Sequence, residues 1–227
     1  KGHHFYGLLD IELKPSNPWS NDFLLAPAYP QGRVISAPVA FISKVFETVP
    51  YVNDHTPALN VAAFLFDNIT LHGAIREQGG AYGGGSVNNA MSGNFYFYSY
   101  RDPHIYHTLE AFDKAIKTIL EGHFSEEDLS EAKLEMVQSM DSPVSPGSRA
   151  DLAYGWLREG KTVEVRQKFR DKLLALTKEQ VIEAVKTIIK PNWEKGITVV
   201  FAGKELLEKE NLLLAATHKP LLKIEAI

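Results

Sequence analysis

Residues 71–86 read LHGAIREQGGAYGGGS, and the meaning of this stretch decides how the rest of the chain is read. Five glycines (Gly79, Gly80, Gly83, Gly84 and Gly85) surround two large side chains, Arg76 and Tyr82. Glycine admits positive φ and lets a second backbone approach closely. Two glycines before Tyr82 and three after it leave the phenol on a low-walled surface, and Arg76 adds a rigid fork of donors. Such a donor pair beside open backbone, formed by Gly79, Gly80, Gly83 and Gly84, suits recognition of carbonyl oxygens on an extended peptide. The same residues also describe a flexible hairpin with Arg76 held in a structural salt bridge. The residues alone support both readings.

Upstream, Thr56 and Pro57 open a helix that continues through ALNVAAFLFDNI into TLHGAIRE, apolar nearly all round and therefore expected to be buried. Downstream, GNFYFYSY alternates Phe95, Phe97 and Ser99 with Tyr96, Tyr98 and Tyr100, which predicts a strand packed on both faces. The three tyrosines would either line a binding surface or pack in the core. Asp102 and Pro103 are expected to cap a helix carrying Ile105, Leu109, Phe112, Ile116 and Ile119 at helical spacing, with Arg101 in the turn.

Further out, RVISAPVAFISKVFE predicts one strand with Pro38 at an edge or bulge. Ser125 with Asp128, and Thr177 with Gln180, have the spacing of capping boxes. The second opens KEQVIEAVKTIIK, which Pro191 is expected to stop. GITVVFAG and PLLKIEAI close the chain as short strands. The order predicts an α+β fold: a two-layer sandwich with a mixed, mostly antiparallel sheet and helices packed on one face. Residues 1–32, with four prolines, read as an irregular lead-in or linker, and residues 33–227 as one domain in which Gly147 is the best hinge candidate.

The chain has 227 residues, 44% hydrophobic and 23% charged, with a net charge of −4. That balance provides no basic footprint for nucleic acid, although exposed strand aromatics can stack on bases. No run reads as the roughly 20 apolar residues of a membrane helix. There is no cysteine, so disulfides, thiolate metal sites and thiol nucleophiles are excluded. The opening KGHHFYG resembles neither an initiator Met nor a secretory signal and suggests a piece of a longer or processed polypeptide; His3 and His4 read as incidental.

Zinc hydrolases carry H-E-x-x-H or H-x-x-E-H, and neither occurs; the nearest segment, HTLEA at 107–111, has Ala111 where a histidine is required. His104 and His107 stand one helical turn apart without a third ligand in view, and no metal site is expected in this chain. A G-x-S-x-G elbow and a phosphate loop are also missing. GGAYGGG leads into a strand rather than a helix amino terminus, so it lacks the aligned N–H groups that bind phosphate.

The run from LHGAIREQGGAYGGG through GNFYFYSYRDP to TLEAFDKAI, with PVAFISKVFE before it and VVFAGKELLEKEN after it, resembles the C-terminal half of the presequence-protease branch of the pitrilysin/insulinase metallopeptidases. The resemblance runs from about Arg33 to the C-terminus. It implies a clamshell enzyme in which zinc, H-x-x-E-H and a distal glutamate lie on an N-terminal half. The C-terminal half then contributes an arginine and a tyrosine, matching Arg76 and Tyr82, that reach across to unfolded peptide substrates in a closed chamber. Tyr82 would donate near the developing oxyanion and Arg76 would hold a neighbouring carbonyl. The partner is then the N-terminal catalytic half, the fragment alone is inactive, and neither nucleic acid nor membrane is engaged. A bacterial cytoplasm or an organelle matrix would be its place. The competing expectation is a non-catalytic scaffold of the same fold in a larger complex.

Overall fold

The computed structural model describes residues 28–226. Most of the lead-in, His3 and His4 lie outside the described residues. Six strands, β1 (Gln31–Val34), β2 (Ala40–Glu47), β3 (Gly83–Asn89), β4 (Asn94–Asp102), β5 (Ile197–Ala202) and β6 (Lys223–Ala226), form one sheet in the order β3-β4-β2-β5-β1-β6. β3, β4, β2 and β5 pair antiparallel, while β1 lies parallel to both β5 and β6. The sheet is therefore mixed and mostly antiparallel.

Seven helices accompany it among the described residues. They are α1 (Thr56–Gln78), α2 (Tyr106–Leu120), α3 (Glu126–Met140), α4 (Arg149–Arg158), α5 (Val163–Leu174), α6 (Lys178–Ala184, running on through Trp193) and α7 (Lys204–Ala216). One face of the sheet presents Ala40, Ile42, Phe46, Phe95, Phe97, Val200 and Ala202, all buried, to the helical layer. The alternate positions, among them Phe41, Tyr98, Tyr100 and Phe201, look the other way and remain partly open. β4 is thus packed on one face only, and its tyrosine row lies outside the core rather than under a second layer.

α1 is long and apolar enough to cross a membrane, yet it sits between the sheet and its neighbouring helices, with Leu59, Val61, Ala62, Leu65 and Phe66 fully buried. From Phe66 to Gln78 it winds as a π-helix. Its buried residues there, Phe66, Thr70, Leu71 and Ile75, recur at intervals of four to five, the spacing that the wider i→i+5 winding turns onto one face. Thr56 is the first helical residue rather than the cap, and its hydroxyl donates to Pro50 O.

Three other expectations change in detail. RVISAPVAFISKVFE holds two strands, because the chain leaves β1 after Val34 and re-enters as β2 at Ala40, with Pro38 in the connection. β1 itself begins at Gln31. Pro191 does not end its helix: a π turn, Val185–Ile189, relieves the ring, and one further helical turn, Lys190–Trp193, follows with Pro191 in its first turn. Trp193 then anchors the end, its Nε1–H donating to Asp113 Oδ1 at 2.7 Å while Lys44 lies 3.6 Å from its ring centre. Both capping boxes form as the sequence indicates, Ser125 with Asp128 and Thr177 with Gln180.

Candidate functional site

The quoted stretch divides into a helix end, a four-residue turn (79–82) and an edge strand. α1 closes on glycine. Gly80, at φ +75°, donates its N–H to Arg76 O at 3.1 Å, and Ala81 donates to Ile75 O at 3.1 Å. Gly79 has no room for a side chain, since a Cβ there would lie 2.6 Å from Ile75 O. Gly79 and Gly80 therefore serve as the cap that lets the chain reverse within a few residues and start β3. Sequence reading treats Gly83, Gly84 and Gly85 as loop; they are the first three residues of the outermost strand. Being outermost, β3 leaves one row of backbone groups without a strand partner.

Arg76 lies in the last turn of α1 and is exposed, and its guanidinium makes no ion pair or hydrogen bond among the described residues. Tyr82 stands just before β3 and is 64% exposed. The two residues thus stand on either side of the glycine turn, Arg76 at the helix end and Tyr82 beside the outermost strand. The alternative of a structural salt bridge for Arg76 finds no partner among the described residues.

Tyr82 is steadied by β4. Its N–H donates to Arg101 O at 3.3 Å, its ring centre lies 5.5 Å from that of Tyr100, and the Arg101 guanidinium carbon lies 5.4 Å from its ring centre. Tyr100 reaches it by lying across Gly83, where a Cβ would come within 2.7 Å of three ring atoms. Gly84 faces inward, and a Cβ there would meet Tyr98 O at 2.8 Å and Ile75 Cγ2 at 3.2 Å. Gly79, Gly83 and Gly84 are thus each fitted to a contact within their own chain, while Gly80 answers to its positive φ.

Arg101 departs from the sequence expectation. Ala40 pairs with Asp102 while Phe41 pairs with Tyr100, so Arg101 is an extra residue in β4 and its φ is +50°. The bulge reverses the alternation. Asp102 turns fully inward, accepting from His104 N–H at 2.9 Å and from the Thr108 hydroxyl at 2.6 Å. Asp102 thus braces the turn into α2 rather than capping the helix, whose N-cap is Ile105 without a side-chain cap bond of its own. Arg101 is a bulge residue within β4 rather than part of the following turn, and it leans over Tyr82.

Two groups near this region escape sequence reading. Asp67, on α1, lies 3.0 Å from the Ser86 hydroxyl, which also lies 3.1 Å from Ala63 O. Burial pushes the Asp67 carboxyl up to about 7; the hydroxyl and amide of Ser86 pull it down, and Glu135 of α3 adds to the rise. Glu210, on α7 and 1% exposed, accepts the N–H groups of Ile105 and Tyr106 at 2.9 and 2.8 Å, capping α2 from a distant element. Tyr106 and Glu210 stand 104 positions apart, too far for a local capping pattern to reveal the pair.

Among the described residues no three His, Asp or Glu side chains group closely enough to hold a metal ion. The rings of His104 and His107 touch edge to face, 5.5 Å apart, without a third donor. The donors present do not fit a zinc site.

A family model described as the PreP C-terminal domain matches residues 33–204. The chain is 39% identical over 150 residues to the mitochondrial presequence protease of Xenopus tropicalis, an alignment covering 66% of this chain and 14% of that protein. It is 31% identical over 189 residues to that of Kluyveromyces lactis, covering 82% of this chain and 19% of that protein. The chain therefore spans well under a quarter of the length of these relatives. Among solved structures, the peptidase M16 inactive domain from Pseudomonas fluorescens superposes with a TM-score of 0.65 at 16% identity, over 78% of this chain and 44% of that one. A protease from Helicobacter pylori does so with a TM-score of 0.62 at 12% identity, over 89% and 52%. At those identities the likeness concerns the fold.

Proposed function

The chain belongs to the PreP C-terminal domain family, and from that premise we propose that it is the peptide-gripping half of a zinc metalloendopeptidase that degrades unfolded peptides within a closed chamber. Zinc and its H-x-x-E-H ligands would lie on the N-terminal half of the same polypeptide, since the donors described here do not fit the metal. This chain would bind and orient. Arg76 holds a main-chain carbonyl of the extended substrate through its planar donors. Tyr82 donates its hydroxyl at or beside the carbonyl under attack, where a preorganised donor is worth most. Gly79, Gly80, Gly83 and Gly84 contribute to substrate binding by shape, keeping the surface between the two donors low enough for a second backbone. The names of the relatives suggest a mitochondrial or comparable matrix for the whole enzyme.

The observation that carries this reading is the joint exposure of the Arg76 and Tyr82 side chains, neither with a side-chain hydrogen bond among the described residues, on either side of one glycine turn that leads into the outermost strand. A buried pair with internal partners would have a structural explanation; this pair has none. A photo-crosslinking residue placed at position 82 of the intact protein should capture an unfolded peptide, with the adduct mapping to the peptide's interior. Absence of an adduct at saturating peptide would overturn the assignment. The competing scaffold reading predicts no adduct and no H-x-x-E-H half in the assembled protein.

A further inference from the structure

Consecutive residues of a regular strand point to opposite faces. Tyr100 and Arg101 are consecutive, yet both lie against the ring of Tyr82, at 5.5 and 5.4 Å. The bulge at Arg101 makes this possible, and it does so at φ +50°, a conformation that L side chains adopt at a cost and glycine adopts freely. A glycine at position 101 would form the same bulge, turn Asp102 inward just as well and leave the same carbonyl for Tyr82 N–H. The backbone therefore supplies no reason for an arginine, and the side chain must. Nothing holds that side chain elsewhere, since Arg101 is exposed and makes no ion pair among the described residues.

We infer that Arg101 is a positioning residue for Tyr82: the bulge of β4 brings its guanidinium onto the phenol ring, so that Tyr100 and Arg101 together fix the direction in which the Tyr82 hydroxyl points. The inference rests on the role proposed above for Tyr82. Gly83 belongs to the same device, because only a residue without a Cβ lets the Tyr100 ring lie across β3 to reach its neighbour. A cation above a tyrosine face is favourable by electrostatics. It also removes ring orientations that an exposed side chain would otherwise sample, so that less is lost when substrate arrives.

The test uses the full-length protein. Arg101→Gly removes the side chain while suiting the backbone, and Arg101→Lys keeps the charge. The glycine variant is expected to unfold at the wild-type temperature or slightly above it, yet to lose about fivefold in kcat/KM on an unfolded peptide, an amount in the range a cation on an aromatic face supplies. The lysine variant should recover part of that loss. In a Tyr82→Ala background, Arg101→Gly should change kcat/KM by less than twofold, since its effect passes through the ring. Fluorotyrosine at position 82 gives a readout that does not need turnover: its fluorine signal should shift and sharpen when Arg101 becomes glycine. A loss in kcat/KM of equal size with and without Tyr82 would overturn the inference while leaving the peptide-gripping role intact. An unmoved fluorine signal would overturn it whatever the activity, and a Tyr82→Ala protein of wild-type activity would instead sink the role of Tyr82 itself.

Discussion

The carboxyl of Asp67 occupies the space that a side chain on Gly85 would need: a Cβ there would lie 2.7 Å from Oδ2 and 3.3 Å from Oδ1. That vacancy lets the helix side chain reach Ser86 on the edge strand, so α1 and β3 are clasped four residues beyond Tyr82. Gly85 is thus the glycine of the motif with the least to do with backbone freedom and the most to do with an acid from another element.

Gly85→Ala should therefore overpack this contact and destabilise the chain by about 1–3 kcal/mol. Gly147→Ala provides the comparison, since nothing lies within 4 Å of a Cβ there and its φ is not positive. Chemical denaturation of both variants checks the fit. Equal midpoints would mean that the Asp67 carboxyl does not depend on the space at Gly85.

Asp67 also gives the clasp a pH dependence. One Ser86 hydroxyl proton cannot serve both Asp67 Oδ1 and Ala63 O. A protonated Asp67 donates to Ser86, whose own proton then goes to Ala63, and both contacts are satisfied; an ionised Asp67 leaves one of them unmade. The titratable groups facing it are Glu135 from α3 and the phenol of Tyr98 from β4. With a folded-state value of about 7 against roughly 3.9 when unfolded, the folded chain binds the proton more tightly. Its stabilising contribution is full below about pH 4, falls as pH rises to about 7, and is flat above that. The slope amounts to a few kcal/mol at most, at about 1.4 kcal/mol per pKa unit. Asp67→Asn should flatten it. Denaturation at pH 5 and pH 8 shows whether the wild-type difference exceeds that of the variant, and parallel curves would rule the clasp out as a titrating element.

Glu210 is expected to matter for folding rather than for substrate. Its buried carboxylate satisfies two N–H groups at the start of α2 that have no local side-chain cap. Glu210→Ala should cost about 2–4 kcal/mol by leaving both donors unpaired. Glu210→Gln should cost less, since one amide oxygen can take the place of Oε2, which accepts both bonds. Thermal unfolding of the two variants separates them, and an alanine variant no weaker than the glutamine one would show that water replaces the cap.

What the sequence made legible follows from how local each signal is. The capping boxes at Ser125 and Thr177, the Phe/Tyr alternation of β4 and the β-branched run of β5 depend on neighbours within a few residues, and all appear as read. The layer order follows from them. The exposure of Arg76 and Tyr82 is suggested by glycines on either side. Features that depend on distant partners stay hidden. The open outer face of β4 reflects the lack of a second layer, the Glu210 cap joins residues 104 positions apart, and the bulge at Arg101 is set by pairing with Ala40 and Phe41. Gly83 to Gly85 read as loop because glycine is a poor strand former; pairing with β4, the Tyr100 ring and the Asp67 carboxyl hold them extended.

The two donors at the glycine turn should differ in kinetic signature. Tyr82→Phe removes one hydroxyl and leaves the ring between Tyr100 and Arg101. If the hydroxyl acts on charge that develops in the transition state, kcat should fall by about 10²–10³ with KM little changed. Arg76→Ala removes a grip on a carbonyl that is present in the bound substrate as well, so KM should rise with a smaller change in kcat. Neither substitution should alter the zinc content of the intact protein, since neither side chain belongs to a cluster able to hold a metal. Steady-state kinetics on an unfolded peptide, with elemental analysis of the same samples, reads all three quantities. Wild-type turnover in both variants would remove Arg76 and Tyr82 from the site. A kcat loss for Arg76→Ala as large as that for Tyr82→Phe, at constant KM, would place both donors on the reacting carbonyl rather than on neighbouring ones.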